Sequence, residues 1–185
     1  EMARSAPAAP APWRASGGTP TAWTEGLAPA WDPAVSLAEP CPAETSRGPH
    51  IVVLDLGTKG NVLRHLVSLG ARVTVTPPCS AQAVLALEPD GVLVSSGPGD
   101  PREAASTVTI VQELVGRLPL FGIGLGCQIL ALALGARVVR LGTGHHGYNY
   151  PVRGLAGPSV AITSQNHLYS IDGASLAGTS LETTE

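Results

Sequence analysis

The sequence predicts an α/β fold: a mostly parallel sheet with helices on both faces. Three observations lead there. Short, continuous, β-branched apolar runs recur, the pattern of strands buried on both faces. Segments with apolar residues at helical spacing separate them, and strand and helix alternate at least four times. Glycine-rich loops follow the apolar runs, at the carboxyl ends of strands, where ligands sit in such sheets.

The elements follow in order. "HIVVLDL" from His50 reads as a first strand. After the turn "GTKG", Val62, Leu63, Leu66 and Val67 recur at helical spacing until Gly70 stops the helix. "ARVTVTP" is a second strand, and "AQAVLALEP" a short helix ended before Pro89. "DGVLVSS" is a third strand running into "GPGDP". Residues 102–117 repeat Val108, Val111 and Val115 as one helix face. "PLFGI" is a fourth strand, followed at once by the helix "LGCQILALALG". "ARVVRL" is a fifth strand, which extends the expected parallel sheet from His50 to Leu141. After Gly144 the alternation weakens, with one more strand in "SVAIT".

Composition bounds the function. The chain has 185 residues, the size of one domain or of one domain plus a tail. Hydrophobic residues are 44% and charged residues 14%, so a real core can form. The formal charge of -3 leaves no basic surplus for a phosphate backbone, which argues against nucleic acid as a partner. No stretch reaches the roughly 18 apolar residues of a membrane helix, and no basic-then-apolar signal peptide layout opens the chain. Cys41, Cys79 and Cys127 form no CxxC pair, which argues against a disulfide scaffold or zinc site and suits a reducing cytoplasm. Residues 1–47 are Ala/Pro-rich without sustained period, and read as a linker or the remnant of an upstream domain; residues 48–185 form the α/β part. Trp13, Trp23 and Trp31 in that segment suit docking contacts on a neighbouring surface.

Two loops carry chemistry. In "SGPGDP" (96–101), two glycines around a proline let the backbone approach a ligand and aim N–H groups at it. No GK[ST] follows, so it is no phosphate loop. In "FGIGLGCQ", glycines at 122, 124 and 126 mark a sharp strand–helix junction, the signature of a nucleophile elbow. Position 124 stands where a Cys or Ser is expected, and Gly124 cannot be a nucleophile. "TSQNHLYS" places Asn166 and His167 just after a strand, where a histidine serves as a base or a binding group. His145 and His146 are adjacent, so they point different ways and make a poor metal site.

Taken together, "VVLDLGTKGNVLRHLVSLGARVTVTP", "PDGVLVSSGPGDP", "PLFGIGLGCQILALALGA", "GHHGYNYPV" and "ITSQNH" resemble the class I glutamine amidotransferase domain of the small subunit of carbamoyl-phosphate synthase, from about Pro49 to about Leu176. The resemblance implies the flavodoxin-like architecture of that family. It implies L-glutamine as ligand. As partner it implies the synthase's large subunit, where ammonia, bicarbonate and ATP with magnesium give carbamoyl phosphate for arginine and pyrimidine biosynthesis. No cofactor or metal is implied for this chain itself. By motif, Gly97 and Gly99 match glutamine-binding glycines. Leu125 (through its backbone), Gln128, Asn166 and Tyr169 match further glutamine contacts, and His167 a histidine beside the substrate.

The departures from that family are specific. Gly124 stands at the nucleophilic Cys position and Cys127 at the following His. Leu168 replaces a glycine, which is expected to crowd the glutamine site. The family's base lies in a later H-P-E motif, and none of the five His here is followed by Pro-Glu. The resemblance therefore implies a domain whose C-terminal part is missing from these residues. Three readings follow: a small-subunit homologue without its own glutaminase activity, a chain in which Cys127 has become the nucleophile, or a non-catalytic regulatory module on the synthetase subunit. Without the C-terminal part, the sheet is expected to show an exposed edge or an uncovered apolar face.

Overall fold

A computed structural model describes residues 21–23, 25–26, 41–42, 48–155 and 157–184. The strands are β1 (Thr21–Trp23), β2 (Glu25–Gly26), β3 (Cys41–Pro42), β4 (His50–Leu54), β5 (Arg72–Thr76), β6 (Gly91–Val94), β7 (Leu120–Gly122), β8 (Val138–Arg153) and β9 (Val160–Ile171). The helices are α1 (Gly60–Ser68), α2 (Ala81–Leu85), α3 (Ala105–Leu114) and α4 (Leu125–Ala133).

The main sheet runs β1-β5-β4-β6-β7, with β4 to β7 mutually parallel. Numbering the parallel strands alone gives the order 2-1-3-4, the start of the flavodoxin-like winding. Strand alternation sends side chains to two cores. Val53, Val73 and Leu93 face α1, which presents Leu63 and Val67 one turn apart. Val52, Leu54, Val92 and Val94 face the other way, onto α2, α3 and α4 through Val84, Val111, Leu114 and Ile129. Helices therefore cover both faces. Gly70, at φ +89, closes α1: its N–H bonds Val67 O and that of Ala71 bonds Leu66 O, as a left-handed helix cap does.

The structure differs from the sequence expectations in two strands and in one helix. "ARVVRL" does form a strand, but it leaves the parallel sheet. Val138 begins the long β8, which pairs antiparallel with β9. A strand buried on both faces cannot carry exposed Arg140 and half-exposed Leu141, whereas a hairpin with a wet face can. For the same reason β9 continues through Asn166 and His167 instead of ending before them, since hairpin pairing needs no apolar alternation. The helix expected over 102–117 is a 3₁₀ turn at Pro101–Glu103 followed by α3. Its buried face is Thr107, Val111 and Leu114; Val115 is extended and exposed, and Gly116 turns at φ +75.

The Ala/Pro-rich segment contributes β1, an antiparallel edge strand with Thr21 opposite Val75, and the short β2–β3 ladder. Trp13 and Trp31 lie outside the described residues. At the far side β7 is the sheet's other edge, and Phe121 on it is 66% exposed. No helix among the described residues is long and apolar enough to cross a membrane.

Candidate functional site

The three glycine loops converge at the carboxyl edge of the sheet. After β4, Asp55 Oδ1 accepts from the N–H groups of Gly57 (3.0 Å) and Thr58 (2.8 Å), folding the loop back on the strand. After β6, buried Ser95 accepts from Leu56 N–H at 2.8 Å and donates to Ser96 O at 2.8 Å, tying the two strand ends together. A Cβ on Gly97 would sit 2.2 Å from Leu56 O, so only glycine lets these loops touch. These are the loops on either side of the point where strand order reverses, the usual ligand crevice of such sheets.

After β7 the chain makes the elbow. Gly124 has φ +56 and ψ −112, a backbone state that L residues enter only under strain. It precedes α4, whose first N–H groups have no intrahelical acceptor. A Cβ on Gly126 would lie 2.0 Å from Val94 O, and one on Gly122 2.6 Å from Cys127 N. The flanking glycines thus let α4 press against β6 and β7. At position 124 a Cβ would meet only Ser96, with its Cβ at 3.6 Å, so the apex has room for a side chain. That contact also places Gly124 beside the Gly97–Gly99 loop, as the sequence leads one to expect.

A cleft of about 1060 Å³ opens between the elbow, the β7 edge and β9. Gly124, Gln128, Asn166, His167 and Tyr169 all line it. Gly97 and Gly99 lie outside its lining, and Leu125 is buried beneath it at 4% exposure. Gln128 Nε2 donates to Tyr169 O at 2.8 Å, pinning α4 to β9. His167 Nδ1 lies 2.8 Å from the same carbonyl, which accepts from the tautomer protonated at that nitrogen. Asn166 Oδ1 pairs with His146 Nδ1 at 2.7 Å, directly across the hairpin. His145 stacks edge-on against His167 at 4.9 Å on the other face. Leu168 does not line the cleft; its Cδ2 covers Gly144 instead.

One ion pair lies in the glycine loop beside the cleft, whose own lining carries Glu182. Arg102 grips Asp100 through Nε (2.9 and 3.1 Å) and Nη2 (2.6 Å). The Arg102 guanidinium holds the Asp100 carboxyl below its ordinary value of 3.8, against the opposing effect of burial. The Asp100 contribution to stability is therefore full above about pH 4 and is lost as pH falls through the depressed folded value. Asp172, held low by Arg137, adds to the same acid limb. Asp100→Asn is expected to flatten the loss of unfolding free energy below about pH 4, measured by urea unfolding across pH. An unchanged acid limb would refute the coupling. Burial of its sulfur pushes the Cys127 thiol up, although the residue is exposed overall.

Sequence reasoning did not single out Asp100, Arg102, His146 or Gln165 as parts of the site. Arg102 and His146 meet it through partners far away in the chain, Tyr169 and Asn166, and no spacing marks such pairs; Asp100 joins through Arg102, and Gln165 lines the cleft itself.

An α/β sheet of this order, with an elbow at the end of its fourth parallel strand and polar side chains around one cleft, is a ligand-binding scaffold of the flavodoxin-like class. The family model described as "Glutamine amidotransferase class-I" matches residues 52–184. The carbamoyl phosphate synthase small chain of Staphylococcus saprophyticus is 45% identical over 141 residues, covering 76% of this chain and 38% of that protein. The small chain of Pseudomonas putida is 50% identical over 131 residues, covering 70% and 35%. Among solved structures, a Thermoplasma acidophilum protein described as belonging to a GMP synthase shares the fold: TM-score 0.58, 24% identity, covering 68% of this chain and 67% of that one. The chain belongs to the class I glutamine amidotransferase family. It spans about two fifths of the length of the curated relatives it matches.

Proposed function

We propose that this chain is the glutamine-binding part of a carbamoyl phosphate synthase small subunit, working with the large synthetase subunit. On this reading it holds L-glutamine without hydrolysing it. The observation that carries the reading is the elbow. Its backbone keeps the strained apex at φ +56, with room for a side chain, yet Gly124 puts none there. A binding site of this shape survives the loss of its nucleophile, because the donors around it belong to other residues. Gln128, Asn166 and Tyr169 line the cleft, and backbone N–H groups at the start of α4 suit a carbonyl or carboxylate oxygen.

The relocated-nucleophile reading is disfavoured. Cys127 lies three residues past the apex, ~4.5 Å of helix rise. Its thiol is pushed up rather than down, so less of it is thiolate. The regulatory-module reading shares the binding site and differs only in what the partner gains. The exposed β7 edge with Phe121 favours some contact of this chain with another surface. ATP and magnesium act in the partner on this reading, and this chain needs no cofactor.

Titration calorimetry of the full chain with L-glutamine tests the proposal. Saturable binding is expected, weakened about tenfold by Asn166→Ala through one lost hydrogen-bonding group. Absence of heat and of any thermal shift with glutamine would overturn it.

A further inference from the structure

Tyr169 joins the glycine loop after β6 to the helix after the elbow. Its ring lies under the Arg102 guanidinium, 5.4 Å from Cζ to the ring centre. Arg102 is held along one edge by the bidentate Asp100 carboxylate, and its backbone N–H donates to Asp100 Oδ1 at 2.9 Å. At the other end of the residue, the Tyr169 carbonyl receives Gln128 Nε2 and His167 Nδ1, each at 2.8 Å. One residue of β9 thus touches the loop with its side chain and the cleft's polar groups with its backbone.

We infer that Asp100 and Arg102 are positioning residues: they seat Tyr169, and through its carbonyl they orient Gln128 and His167 on the cleft wall. An exposed ion pair between neighbours in one loop stabilises little by itself. The Arg102 side chain is 52% exposed, and beyond its own loop it meets the Tyr169 ring. The planar fork matters because the carboxylate fixes its orientation along one edge while a face stays open to an aromatic ring. Nothing in the spacing of "GPGDPRE" and "QNHLYS" announces this, since the two segments meet only in the folded chain.

The clasp itself stands on geometry; its effect on glutamine rests on the function proposed above. The test therefore has two readouts on the full chain. In nitrogen-edited NMR, the Gln128 side-chain amide reports its bond to Tyr169. Arg102→Gln is expected to shift that resonance pair and to speed its hydrogen exchange roughly fivefold, the size of one exposed cation–π contact. The unfolding midpoint should stay within about 2 °C, as for an ordinary surface substitution. Tyr169→Leu, which removes the ring and keeps the carbonyl, is expected to reproduce the effect, and the double variant to add nothing further. Tyr169→Phe, which keeps the ring and loses the hydroxyl that meets Asp100, should shift the Gln128 signals less than Tyr169→Leu.

Glutamine affinity should fall two- to fivefold in Arg102→Gln, by roughly the same contact. Unchanged Gln128 signals in Arg102→Gln, or additive effects in the double variant, would overturn the clasp. If the unaltered chain takes no glutamine, the proposed function fails while the Gln128 signals still decide the clasp.

Discussion

Incubated with L-glutamine, this chain is expected to release no ammonia above the uncatalysed rate, and Gly124→Cys alone is expected to leave it inactive. Amide hydrolysis by this fold needs a thiolate at the elbow apex, a base to activate it and protonate the leaving ammonia, and an oxyanion site. The apex residue is Gly124. His167 is the histidine lining the same cleft, and its partners are Tyr169 O and the Gln165 side chain rather than a carboxylate. A cysteine placed at 124 would thus face no His–carboxylate pair among the described residues. It would also sit at φ +56, at a cost of about 1–3 kcal/mol that glycine avoids. Members of such a unit act together, and losing one nucleophile in a dissected protease triad costs on the order of 10⁶ in kcat. Ammonia release from the unaltered chain that disappears in Cys127→Ser would refute this and make Cys127 the nucleophile.

The largest stability effect is expected at Gly126→Ala. The new methyl would lie 2.0 Å from Val94 O, 2.6 Å from Val94 C and 2.8 Å from Ser95 O. All are backbone atoms at the end of a central strand whose residues are buried, so none can swing aside as a flexible side chain would. Relief requires α4 to lift off β6, which opens the core around Leu125 and Ile129. Overpacking of this kind costs about 3 kcal/mol or more, which lowers the unfolding midpoint by roughly 10 °C. Gly142→Ala, whose methyl would meet nothing within 4 Å, is the control and should change stability by less than about 0.5 kcal/mol. Equal midpoints for the two variants would show that the elbow is not packed against β6 as described.

Much of the architecture was legible because its physics is local. A parallel strand buried on both faces must be apolar throughout, so "HIVVLDL" and "DGVLVSS" announced themselves. A backbone approach too close for a Cβ demands glycine, so the loop at 97 and the packed helix start at 126 were visible as well. The hairpin of β8 and β9 was not legible in the same way. Its strands keep polar residues on half-exposed faces, and their pairing is set by register rather than by burial. Position 124 could be read as a missing nucleophile from the flanking glycines alone.

By itself, then, the sequence determined the alternating α/β winding, the elbow and the absence of its thiol, since each depends on residues adjacent in the chain. The tertiary structure alone decided which residues share the cleft. It took "ARVVRL" out of the sheet, turned Leu168 onto Gly144, left Gly97 and Gly99 outside the cleft lining, and brought Asp100 and Arg102 onto Tyr169. Those contacts join residues distant in sequence through hydrogen bonds and ring faces, which have no period along the chain and exist only once both cores have closed.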